Sequence, residues 1–322
     1  MTYRFHDCQP EFDDFHHSVI SGLSASPKQI APKFFYDEVG SKIFDAICDQ
    51  PEYYVPAIER SIFETHAEDI LASLQVQDCH LIEPGAGSSV KVRFLLDRVR
   101  PAMYVPMDIS AEHLRASAAR LAADYPGLPV HAVCVDHTKP YALPSDIPAT
   151  RRVFFYPGSS LGNFDPAEAI RFLRDLRSKA GDDGRLLIGI DTKKPADVLN
   201  LAYNDPAGVT AAFNLNLLER LRKELASDVD PARFEHRAFY NAARGRIEMH
   251  LVSREAQRVR VNGNSFDFRA GESIHTENSY KYTPDELRQL AWDAGWAGEK
   301  VWLDDKGYFS VHLLKARPGA CR

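Results

Sequence analysis

From residue 79 onward the chain repeats one pattern: a short apolar run, a turn, then a segment with apolar residues at helical spacing. A parallel sheet with crossover helices is written this way. The apolar runs predict strands at 79–83, 103–107, 130–135, 153–156 and 186–190. Each ends in small or polar residues: a glycine loop after Glu83, then Asp108, Asp136, the turn Pro157-Gly158-Ser159-Ser160, and Asp191. Such ends line one edge of a sheet, where open α/β folds hold their ligands. Helix-start signals agree with this pattern. Ser110 can cap a helix running to about Ala123, and Asp165, Pro166 and Glu168 combine a cap, a first-turn proline and a capping-box acid.

After Asp191 the rhythm breaks. Residues 194–224 read as helical, with Pro195 near the start, and 233–279 alternate like antiparallel strands, with Asn262-Gly263 as a hairpin turn. This predicts a separate α+β insertion. The first pattern then returns: Thr283, Pro284 and Glu286 start a helix to about Ala294, followed by strand-like runs at 300–303 and 308–314. The expected domains are 57–193 plus 280–318, and 1–56 plus 194–279.

Composition narrows the chemistry. The 322 residues carry a formal charge of −6, with acidic and basic residues mixed throughout and no Lys/Arg block to track a phosphate backbone. No nucleic-acid partner is expected. The five cysteines are scattered without CxxC pairs or zinc-like spacing, so neither a disulfide framework nor a metal is expected. With no leader-like N-terminus and no apolar run of membrane length, the expectation is a cytoplasmic protein that does not engage a membrane. Nothing demands more than a monomer.

The loop Glu83-Pro84-Gly85-Ala86-Gly87-Ser88-Ser89-Val90-Lys91 lets backbone approach a ligand, but Val90 stands where a dinucleotide-binding loop has its third glycine. Asp108, 23 residues beyond Gly85 at the end of the second strand, can accept two ribose hydroxyls. Asp136, at the end of the third, can accept from an adenine amino group. Together these describe a nucleoside site without a phosphate clamp.

Several strings resemble one family. Pro32-Lys-Phe-Phe-Tyr-Asp-Glu-Val-Gly-Ser41, Pro51-Glu-Tyr-Tyr54, the glycine loop, Gly158-Ser-Ser-Leu-Gly-Asn-Phe164, the run 203–216, Arg246-Ile-Glu-Met249 and His275-Thr-Glu-Asn-Ser-Tyr-Lys-Tyr282 look like the histidine-specific N-α-methyltransferases of ergothioneine biosynthesis. The resemblance spans about residues 30–315, in the same order. It implies a class I S-adenosylmethionine methyltransferase domain, Rossmann-like, and a second α+β domain from the N-terminal arm and the insertion, with free L-histidine held between them. It assigns S-adenosylmethionine to Gly85, Lys91, Asp108, Asp136 and His137. It assigns histidine to Tyr53, Asn163, Tyr203, Met249, Glu277, Asn278 and Ser279, with Tyr36 as the catalytic group near the reacting amine. Pro84, Ala86, Ser160, Leu161 and His137 depart from the commoner family wording without removing a polar group the site needs.

These residue types suit the implied chemistry. Transfer from a sulfonium is an in-line displacement, so the protein must chiefly hold a neutral amine lone pair against the methyl carbon. Asn163 and Tyr203 can donate to a carboxylate, and Glu277 and Ser279, two apart on a strand, face the same way and can reach an imidazole together. Tyr36 can pass a proton to water, and Tyr36, Tyr53 and Phe213 can face a methylammonium. The same fold acting on another amino acid, a non-catalytic nucleoside sensor and a nicotinamide-dependent oxidoreductase are the rival readings.

Overall fold

The computed structural model describes residues 3–8, 15–74 and 77–319. They form two compact units: one from residues 3–8, 57–74, 77–193 and 282–319, the other from 15–56 and 194–281.

The first unit is built on an eight-stranded sheet. In spatial order its strands are Tyr3–Asp7, Val130–Cys134, Met103–Asp108, His80–Pro84, Arg152–Tyr156, Arg185–Asp191, Phe309–Ala316 and Trp296–Leu303. The first six run parallel, and the terminal hairpin pairs antiparallel to Arg185–Asp191. His80–Pro84 and Val130–Cys134 are buried along their whole length, which is why they read as unbroken apolar runs. Each large apolar side chain so buried contributes roughly 1.5–3 kcal/mol before the cost of ordering the chain.

Two of the expected caps form as read. Glu168 accepts the Asp165 N–H at 3.1 Å, starting Pro166–Ala180, and Thr283 and Glu286 exchange hydrogen bonds of 2.8 and 3.2 Å ahead of Pro284–Asp293. At Ala111–Asp124 the expected cap does not: the Ser110 side chain makes no capping bond, and Asp108 Oδ1 accepts the Ser110 N–H at 2.9 Å. The strand Tyr3–Asp7 corrects the domain expectation. Residues 3–8 belong to the first unit, because Tyr3–Asp7 adds to the sheet edge beside Val130–Cys134. Tyr280 and Lys281, placed with the first domain by the sequence, belong to the second.

The second unit has a four-stranded sheet in the order Lys28–Gln29, Ser273–Tyr280, Arg246–Ser253, Phe234–Asn241, antiparallel except for its two-residue edge. Helix Val209–Glu224 packs on it through Phe213, Leu217, Leu218 and Leu221. The helical stretch expected over 194–224 is two helices, Ala196–Ala202 and Val209–Glu224. Asp205 separates them by accepting the Val209 and Thr210 N–H groups at 2.7 and 2.8 Å, a cap that fixes where the second begins. The Asn262-Gly263 turn has both residues at positive φ, 44° and 81°, and joins Gln257–Val261 to Asn264–Phe268 as expected. Among the described residues no helix is long and apolar enough to cross a membrane.

Candidate active site

In the first unit the functional groups collect where the parallel strands end. The turn after His80–Pro84 places Gly85, Gly87 and Ser89 at φ values of 69°, 51° and 54°. For Ser89 that conformation is strained, and it is held by burial, by its N–H on the Ala86 carbonyl at 2.8 Å and by the Tyr104 hydroxyl at 3.3 Å. Asp108 closes the turn: Oδ2 accepts the Gly87 N–H at 3.0 Å while Oδ1 holds Ser110. Each carboxylate oxygen keeps further lone-pair capacity, so the acid that shapes the loop can also receive a diol.

Asp136 forms its own turn, accepting the Thr138 N–H at 3.0 Å and the Thr138 hydroxyl. Beside it, the His137 ring lies edge-on to Tyr156 and Phe172, and a Cβ on Gly85 would come within 3.3 Å of its Cε1. Burial holds His137 below the ordinary histidine range, against the pull of Asp108 and Asp136. Its buried Nδ1 has no hydrogen-bond partner among the described residues. A neutral ring with an orphaned nitrogen, between a glycine turn and two aromatic faces, fits an adenosyl group.

Lys91 is engaged by a residue that sequence reasoning missed. Its ammonium pairs with Glu59 at 2.7 Å, and the other Glu59 oxygen accepts the Gly158 N–H at 2.7 Å. Glu59, on helix Val55–Thr65 and only 1% exposed, thus ties the glycine turn to the turn after Arg152–Tyr156. The fit is close: Gly158 has φ 82°, and a Cβ there would lie 2.5 Å from Lys91 Nζ. The next residue, Ser159, is left-handed at φ 68°, held by the Asp191 N–H on its hydroxyl at 2.9 Å. Half-buried Asn163 ends the short helix Ser160–Asn163 that follows. Burial pushes Glu83 up to about 8, with the Tyr104 hydroxyl opposing.

In the second unit Tyr36, Tyr53, Tyr203 and Met249 belong to one packed cluster, with Glu277 near Tyr53 and Ser279 against Tyr203. Tyr53 is raised well above the tyrosine range by burial and then by Tyr203, Cys48, Tyr36 and Glu277, so these groups share one neighbourhood. The Tyr36 ring packs edge-on against Phe44 and Phe213, and Tyr53 against Tyr203 at 6.1 Å. Asp37 fixes the entry to Glu38–Cys48 by accepting the Gly40 N–H at 2.7 Å and the Asn216 amide at 2.9 Å, which sets the backbone beside Tyr36. Glu277 pairs in register with Met249 and Ser279 with Ile247, so both project toward Phe213 and its neighbours. Burial pushes the Glu277 carboxyl up to about 7, against Lys281.

Two expectations change. Asn278 lies opposite Glu248, on the other face of the strand from Glu277 and Ser279, because successive side chains alternate. Tyr203, expected to donate to a substrate carboxylate, donates to Ser279 Oγ at 2.9 Å. Lys281, which the sequence left unmarked, lies 2.8 Å from Ser279 Oγ and 3.2 Å from the Tyr203 hydroxyl.

Two groups of metal-ligating side chains lie elsewhere among the described residues: His6, His131 and Asp146, and Glu248, His250 and His275. In the first, His6 Nε2 and His131 Nδ1 are hydrogen bonded at 3.2 Å; in the second, the histidine rings stack at 4.7 Å and 15°. Stacked imidazoles direct their lone pairs along near-parallel lines, so one ring must turn before both meet an ion.

A parallel sheet ending in an antiparallel hairpin, with a glycine turn closed by the second-strand acid, defines an S-adenosylmethionine-dependent methyltransferase of class I. Residues 15–316 match the profile of the histidine-specific, S-adenosylmethionine-dependent methyltransferases, and the chain belongs to that family. It is 40% identical to the histidine N-alpha-methyltransferase of Mycolicibacterium smegmatis, over 92% of each chain. It is also 27% identical to part of ergothioneine biosynthesis protein 1 of Schizosaccharomyces pombe, over 81% of this chain and 35% of that one. Among solved structures it is similar to the CcbJ methyltransferase from Streptomyces caelestis, at a TM-score of 0.47 and 18% identity, covering 78% of this chain and 88% of that one.

Proposed function

We propose that the chain transfers three methyl groups in succession to the α-amino nitrogen of free L-histidine, giving hercynine as an early step toward ergothioneine. The observation that carries this reading is the pairing of Glu277 with Ser279 on one strand face, beside Tyr53 and Tyr203. A carboxylate and a hydroxyl so spaced match the two nitrogens of an imidazole, whereas an indole or phenyl ring would leave one or both buried groups unpaired, at roughly 1–3 kcal/mol each.

The first unit serves the methyl donor and the second the amino acid. S-Adenosylmethionine supplies an electrophilic methyl on sulfur. Asp108 accepts the ribose hydroxyls, while Asp136 and His137 meet the adenine. Gly85 lets the chain come close, and Lys91, held by Glu59, stiffens the turn. Asn163 donates to the substrate carboxylate. Tyr36 accepts the proton that the ammonium loses before each transfer as its own hydroxyl proton passes to water, and the Tyr36, Tyr53 and Phe213 rings favour the growing methylammonium by roughly 0.5–2 kcal/mol each. The reading includes a monomer working in the cytoplasm and a transfer step that uses no metal.

The test is incubation of the protein with S-adenosylmethionine and each free amino acid in turn, following methyl additions by mass spectrometry. Histidine alone carrying one, two and three methyl groups is the expected result. Methylation of a different amino acid overturns the pocket assignment, and transfer to none overturns the enzyme reading.

A further inference from the structure

Lys281 is 2% exposed and its ammonium sits against two hydroxyls, Ser279 at 2.8 Å and Tyr203 at 3.2 Å, which are themselves 2.9 Å apart. An ammonium has three donors and no acceptor, so both hydroxyl oxygens must accept from it. The phenol is the stronger acid of the remaining pair and gives its proton to Ser279. Ser279 Oγ then accepts twice, from Lys281 and from Tyr203, which fills both of its lone pairs. Its own proton is then turned away from both, and Glu277, two residues earlier, faces the same side of the strand.

We infer that Lys281 is a positioning residue for substrate choice: it turns Ser279 into an obligate donor, so that Ser279 and Glu277 present one donor and one acceptor to the substrate ring. That pair complements a neutral imidazole, which has one bare nitrogen and one N–H. Without Lys281, Ser279 is no longer held as a donor, and the pocket loses one of the two hydrogen bonds, beside that of Glu277, that separate an imidazole from a five-membered ring with no nitrogen. The inference rests on the histidine reading above and adds to it the residue that sets the sense of the hydrogen bond.

The experiment measures Kd by calorimetry for histidine and for β-(2-thienyl)alanine, a ring of similar size without nitrogen, with S-adenosylhomocysteine present. In Lys281→Met the preference for histidine falls by about thirtyfold while the thienylalanine Kd stays within about twofold of wild type. Ser279→Ala lowers the same preference to a similar extent, and the double variant is no worse than Ser279→Ala alone. Lys281→Gln, which keeps an N–H donor, retains most of the preference and guards against a Met variant that does not fold. Parallel loss of both affinities, additive effects in the double variant, or an unchanged preference in Lys281→Met overturns the role of Lys281. A wild-type protein that binds thienylalanine as tightly as histidine overturns the histidine reading itself.

Discussion

The candidate sites of the two units are made in different ways. Around Asp108, backbone does the shaping: a carboxylate takes N–H groups from Gly87 and Ser110, and positive-φ residues bring the turns together. Around Glu277, side chains do it: an ammonium, a phenol and a hydroxyl are locked to one another beside a carboxyl that burial has pushed up to about 7. A backbone site can serve any chain able to make the turn, because the recognised groups of a nucleoside are always the same. Discrimination among amino acids needs groups whose chemistry is peculiar to one side chain, and those must be buried and oriented individually.

Removing one group from each half tests that difference. Asp108→Ala should be the most damaging, since it deletes the proposed ribose acceptor and frees the glycine turn together. S-Adenosylhomocysteine affinity should fall by about a hundredfold or more by calorimetry, equivalent to ~3 kcal/mol, with Glu277 chemistry untouched. An affinity within threefold of wild type would mean the turn holds its shape without the acid. Glu59→Ala should cost about 2–3 kcal/mol of stability in a denaturant titration, because it leaves the Lys91 ammonium and the Gly158 N–H without their shared partner. A midpoint unchanged from wild type would show that the tie between the two turns contributes nothing.

On the amino-acid side the effect should depend on pH. In the proposed pocket the carboxylate form of Glu277 is the one that would accept an imidazole N–H, and with its ionisation pushed up to about 7 the protonated form prevails below that pH. The KM for histidine should therefore rise about tenfold from pH 8 to pH 6, and Glu277→Gln should flatten this component while weakening binding throughout. Equal slopes in the two proteins would place the titrating group elsewhere. The smallest effect belongs to neither site: Thr283→Ala removes the cap of Pro284–Asp293 and should cost about 1 kcal/mol, read as a lower thermal midpoint with both affinities intact.

The same division explains what could be read from the chain before folding. The parallel strands, the terminal hairpin and the Asn262-Gly263 turn follow from short-range patterns, and Asp108 lies only 21 residues from the Gly87 it holds. Glu59 gave no signal because its partners lie 32 and 99 residues away, and a lone acid on a helix looks solvated. Lys281 gave no signal because its partner Tyr203 lies 78 residues earlier and meets it only in the fold. The edge strand Tyr3–Asp7 was missed because its few residues pair with a strand more than a hundred positions away. Tyr36, Tyr53 and Met249 enter the proposed pocket through resemblance alone, since an isolated tyrosine or methionine reads as core. Asn278 was carried along by its neighbours, and strand alternation turned it to the other face.

The amide of Asn216 donates to Asp37 across 179 positions of chain, and this has a consequence for synthesis. The segment that carries Tyr36 and Tyr53 leaves the ribosome early, yet its partners on Val209–Glu224 and Ser273–Tyr280 follow only after most of the parallel sheet has been made. At roughly 5–20 residues per second the early segment waits on the order of ten seconds or more with its aromatic side chains unpartnered. That wait is the window in which a nascent chain is open to chaperones or to aggregation, and the sheet of the first unit waits longer still, since its closing hairpin is the last part of the chain to be made.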